Sequence, residues 1–183
     1  MKYIHYLIFS FLFLAACTDN AEVVTVGEQK DTTVVWIDSL NKIDQALLSD
    51  QEMNPEKGWK AFGAFRKFAR ENPDHPLGPT YHMKAAAIAR NIPGKALMAI
   101  EEYMTVYKQY PKDSLAPQAY FLVGFTFDQA LNDKERSAKA YKGFIDVYPE
   151  HPLAMQAREL LAMSANTEGD LEQVKEWEKA SKK

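Results

Sequence analysis

Apolar residues recur along most of this chain at steps of three and four. Ala96, Ala99, Ile100, Tyr103, Val106 and Tyr107 make one wide stripe of this kind, the spacing that gathers side chains on one face of an α-helix. The same pattern predicts helices at 33–49, 55–71, 76–91, 94–110, 115–131, 133–148, 152–165 and 168–181. Their connections are too short to return a chain to a parallel neighbour, so consecutive helices are expected to run antiparallel. Local signals mark several starts. Asn132 or Asp133 is placed to cap a helix, Ser114 precedes Leu115-Ala116-Pro117, and Pro93 suits a first helical turn.

The pattern also repeats at longer range. Asn72-Pro73, Tyr110-Pro111 and Tyr148-Pro149 stand 38 residues apart. At the same offset Phe65 matches Tyr103 and Tyr141, and Phe68 matches Val106 and Phe144. Leu77 matches Leu115 and Leu153, while Ala61, Ala99 and Ser137 are all small. A fixed offset of this size implies stacked units, each unable to bury its own apolar face alone. The ends of such an array need covers. Trp36, Leu40, Ile43 and Leu47 form an apolar stripe before it, and Leu171, Val174 and Trp177 form another after Thr167-Glu168-Gly169-Asp170, which resembles a capping box. Docking on the array is the expected role of both stripes; binding a partner is the other reading.

The stretch AYFLVGFTFDQALNDKERSAKAYKGFIDVYP, residues 119–149, resembles a tetratricopeptide repeat. Gly124 and Phe127 match the small and aromatic positions of that motif's first helix. Ser137 and Tyr141 match those of its second, and Pro149 matches its closing proline. The preceding unit offers Ala86, Ala89, Ala99, Tyr103 and Pro111, and so lacks the glycine and the first aromatic. The long period is similar to the repeats of the periplasmic coordinator of the Tol–Pal system and of BamD-like outer-membrane assembly lipoproteins. The resemblance covers roughly residues 55–165 and implies an all-α fold: a right-handed solenoid of antiparallel helix hairpins with a 38-residue period. It further implies that the first helix of each unit lines a concave groove for a protein or peptide. Carried over, the groove positions are Thr80, Met83, Arg90 and Asn91 in one unit and Gln118, Phe121, Phe125, Asp128 and Gln129 in the next. Arg90 could hold a carboxylate in two-point geometry. Phe121 and Phe125 are one turn apart and either anchor a partner or pack against the neighbouring helix.

The N-terminus adds a location. Lys2, the apolar run Ile4 to Leu14 and the small pair Ala15-Ala16 form a signal peptide at 1–16. The apolar run is about half of the ~20 residues that a membrane-spanning helix needs. Leu14-Ala15-Ala16-Cys17 resembles a bacterial lipobox, which implies cleavage before Cys17 and acylation of it; the plainer alternative is a secretory signal with an incidental cysteine. Two or more acyl chains hold a protein firmly on a membrane. Thr18 rather than an aspartate follows the cysteine, which by the same resemblance favours the outer membrane facing the periplasm. Residues 18–31 are polar and read as a flexible tether, with the helical domain at 32–183.

Composition narrows the function. The whole chain carries 22 basic and 25 acidic residues, a net charge of −3. Loss of Lys2 with the signal would leave 21 against 25, or −4, so nucleic acid is not an expected partner. Cys17 is the one cysteine. His75 and His151 precede prolines that open helices, with Asp113 at the intermediate equivalent position, which suits capping. The sequence has no close metal-ligand cluster, no phosphate loop and no nucleophile elbow, and Glu101-Glu102 reads as part of a solvated face. The expectation is a non-catalytic scaffold or adaptor in the cell envelope, in outer-membrane assembly or envelope maintenance, with no cofactor, metal or small-molecule substrate. The alternative is a holdase-like binder of unfolded exported proteins.

Overall fold

The computed structural model of the chain describes residues 32–49 and 54–164. The expected signal peptide, Cys17, the tether and the helix at 168–181 lie outside the described residues. Among those described there are seven α-helices and no strand. They are α1 (Thr32–Ser49), α2 (Pro55–Glu71), α3 (Gly78–Asn91), α4 (Ala96–Gln109), α5 (Leu115–Gln129), α6 (Lys134–Val147) and α7 (Leu153–Ser164). Each packs on the next in the chain. In addition α3 touches α5, and α5 touches α7.

The corners explain why the helices stop where they do. Asn72, Tyr110 and Tyr148 end α2, α4 and α6 with nearly the same backbone, φ/ψ of −130/60°, −121/52° and −127/57°. Each precedes a proline, whose ring disfavours helical geometry at the residue before it. Each nevertheless donates its N–H to the carbonyl four residues back, to Phe68, Val106 and Phe144. Three residues further on, a side chain caps the next helix. His75 Nδ1 accepts from Leu77 N at 3.1 Å, Asp113 Oδ1 from Leu115 N at 2.8 Å, and His151 Nδ1 from Leu153 N at 3.1 Å. Asp113 therefore takes the role expected of Ser114, which makes no capping bond.

The other connections are built differently. Ile92 is extended before Pro93, Gly94 has φ +75°, and Lys95 N bonds back to Ile92 O at 3.0 Å. Proline followed by a residue with positive φ, closed by that bond, makes a type II turn. Pro93 thus lies in the turn and not in the first turn of α4, which starts at Ala96. Between α5 and α6, Asn132 takes the left-handed conformation with φ 50°, and Asp133 Oδ1 accepts from Arg136 N at 2.9 Å. At α2, Asn54 accepts from Glu56 N and Lys57 N just ahead of Pro55, a favourable first helical residue.

The core runs along the faces where neighbouring helices meet. Phe65, Tyr103, Tyr141, Phe68, Val106 and Phe144, the positions matched in sequence, are all 0–1% exposed. Leu40 of α1 is buried, while Trp36, Ile43 and Leu47 pack partly buried beside it, with the Trp36 ring edge-on to Phe68 at 5.3 Å. A second cluster gathers Phe121, Tyr141, Phe144, Ile145 and Leu161 from α5, α6 and α7. Fully burying one such side chain contributes about 1.5–3 kcal/mol. Gly124 allows the Tyr141 ring to approach α5 closely.

Candidate functional site

The groove positions expected on α3 and α5 divide into three groups. Gln118 and Gln129 are exposed, and Met83, Arg90 and Phe125 are half-buried. Met83 also leans on the first core cluster. Phe121 and Asp128, by contrast, are closed off.

Phe121 is 5% exposed and sits among Tyr141, Phe144 and Phe125, with ring centroids at 5.7, 5.8 and 6.5 Å. It belongs to the core and cannot anchor a partner. Residues four apart on a helix differ by about 40° around its axis, enough to turn Phe121 inward and leave Phe125 at the edge. Asp128 is 6% exposed. It accepts from Lys134 Nζ and from Gln129 Nε2, the latter at 2.5 Å. Burial pushes its carboxyl up, but the hydrogen bonds from Lys134 and Gln129 outweigh that and hold it below the usual range. It is a buried, satisfied anion that ties α5 to α6, and not a groove contact.

Arg90, Phe125 and Gln129 do converge. The Arg90 guanidinium carbon lies 5.3 Å from the centre of the Phe125 ring. These residues, with Asn91, Ala130 and the turn at 92–94, line an open hollow of about 400 Å³. The turn residues and Ala130 were not among the expected site positions, although Pro93-Gly94 is a turn signal in its own right.

A second constellation was not anticipated. Glu102 of α4 is fully buried, whereas its neighbour Glu101 is exposed as expected of a solvated face. Glu102 Oε2 is 2.6 Å from His82 Nδ1 of α3, and its Oε1 accepts from Arg66 Nε of α2 at 2.6 Å and Arg70 Nη2 at 3.3 Å. Arg66 and Arg70 also bond Glu101, at 2.9 and 2.8 Å. Burial raises the Glu102 carboxyl, but His82, Arg66 and Arg70 together overcome it and hold the group below the ordinary glutamate range. His82 is 1% exposed and Glu102 0%, so no substrate atom can reach the pair. The cluster fastens three helices together.

Among the described residues no group of three or more His, Cys, Asp or Glu side chains is arranged to hold a metal ion. No described helix is long and apolar enough to cross a membrane. No protein-family model matches the sequence, and no curated protein matches it.

Proposed function

We propose that the chain is a lipid-anchored, non-catalytic protein-binding scaffold of the bacterial cell envelope, built as a right-handed solenoid of tetratricopeptide-like hairpins with a 38-residue period. The observation that carries this reading is contact between alternate helices: α3 touches α5 and α5 touches α7. Contacts between every second helix are what stacked hairpins require, and they support a reading in which the first helices of successive units form one binding wall. The matching backbone and capping bonds at Asn72–Leu77, Tyr110–Leu115 and Tyr148–Leu153 support the repeat. The lipobox-like run ending in Cys17 supports the anchor.

The reading is tested by site-directed photo-crosslinking in intact envelopes. A crosslinker at Gln118, exposed on α5, is expected to capture a partner in fixed ratio. One at Leu97, exposed on α4, is expected to capture far less. Equal, diffuse capture of many unrelated exported chains at both positions would favour a holdase instead. No capture at Gln118 in the native membrane would remove the scaffold reading.

A further inference from the structure

Most half-buried basic side chains in the described helices are matched by an acceptor. Arg66 bonds Glu101 and Glu102, Lys84 bonds Asp44 at 2.5 Å, Lys134 bonds Asp128, and Arg158 bonds the Pro149 carbonyl at 3.1 Å. Arg90 has no carboxylate at ion-pair distance among the described residues; its guanidinium lies over the Phe125 ring and within electrostatic reach of the neutral Tyr103 phenol. Asp128, nearby on the same helix as Phe125, is already neutralised by Lys134. The hollow therefore presents one unbalanced guanidinium beside an aromatic ring.

The amides around it are oriented by their own bonds. Asn91 Nδ2 donates to Ala87 O at 2.8 Å, and Gln129 Nε2 donates to Asp128. Their carbonyl oxygens remain as acceptors. The hollow thus combines one cationic donor fork, two amide acceptors and apolar walls from Pro93, Ala96 and Ala130. We infer that this hollow binds an extended partner segment through a side-chain carboxylate on Arg90, with the partner's backbone N–H groups on Asn91 and Gln129 and an adjacent apolar residue against Phe125. The inference rests on the scaffold reading and names the chemistry of its partner. A single guanidinium matches a single negative charge in a two-point bond. A chain-terminal carboxylate fits less well, because the amide oxygens would face its charge where N–H donors are needed.

The test uses the full-length chain in detergent and pools of short peptides with both ends blocked. One pool is randomised around a fixed Glu-Leu pair and the other around Gln-Leu. The Glu pool is expected to bind about tenfold or more tightly, the scale of one charge-assisted hydrogen bond. Arg90→Gln is expected to abolish that preference while leaving the unfolding midpoint in place, and Phe125→Ala to weaken both pools. Equal binding of the two pools, no binding of either, or a preference that survives Arg90→Gln would each overturn the inference. So would binding seen only with a free peptide C-terminus. If crosslinking from Gln118 still captures a fixed partner in those cases, the scaffold reading stands and only the carboxylate chemistry falls.

Discussion

Gly124 faces the ring of Tyr141 so closely that a β-carbon there would fall 2.7 Å from Cδ1 and 2.8 Å from Cε1. The ring is fully buried and cannot withdraw without disturbing Phe121 and the cluster that both rings share with Phe144. Gly124→Ala is therefore expected to destabilise the chain by about 1–3 kcal/mol, the usual cost of overpacking, despite the higher helix propensity of alanine. Thermal unfolding followed by circular dichroism would show it. An unchanged or raised midpoint would mean that α5 and α6 separate at little cost.

The buried carboxylate between α2, α3 and α4 should make stability depend on acidity. Glu102 is held below its unfolded value by His82, Arg66 and Arg70, against the opposing effect of burial. A carboxyl of this kind contributes stability that is complete above the unfolded glutamate range, near 4.3, and is lost as pH falls through the lower native value. Denaturant midpoints measured from neutral pH down to acid should fall steeply below that point. Glu102→Gln should flatten the fall.

Truncating the same residue tests how much the cluster contributes at neutral pH. Glu102→Ala removes the shared acceptor of three bases. Breaking a buried pair from one side costs about 3–5 kcal/mol. The lower end is expected here, because Arg66 and Arg70 keep water and Glu101 within reach. Urea denaturation at neutral pH would read the loss, and a change below half a kilocalorie would show that the bases find other partners.

The turn between α3 and α4 offers a backbone test. Gly94 has φ +75°, and a β-carbon there would meet nothing within 4 Å. Space is thus no obstacle to Gly94→Ala; conformation is. A left-handed residue other than glycine costs roughly 1–2 kcal/mol. A loss of that size in thermal unfolding is expected, while Gly63→Ala, exposed inside α2 with open space at its β-carbon, should be neutral or stabilising.

The proposed anchor has a direct test. Cys17→Ser should move the protein from the detergent phase to the aqueous phase on temperature-induced separation, or leave an uncut precursor. Unchanged partitioning would reject acylation at Cys17.

The described helices were legible from sequence because their buried positions recur at helical spacing. Phe65, Tyr103 and Tyr141 share an offset and share complete burial, so the same physical requirement, an inward-facing aromatic on α2, α4 and α6, is visible three times. Boundaries shifted where a turn outweighed periodicity, as at Pro93-Gly94. The site was less legible. Phe121 and Phe125 look alike in sequence, and only the helix rotation relative to α6 separates the core ring from the edge ring. Glu102 was hidden for a different reason: its partners Arg66 and His82 lie 36 and 20 residues away, beyond any local pattern. Asp128 has its partner across a turn, six residues on, so a polar residue at a groove position proved to be an internal tie.

Each described helix packs chiefly on its immediate neighbour in the chain. Contacts that are short in sequence close small loops, so little chain entropy opposes their formation. Acquisition of structure can then begin at any adjacent pair and spread outward, on the microsecond-to-millisecond scale of locally wired helical proteins. A chain emerging end-first through a pore would not have to wait for its last residue before its first helices became protected from proteases.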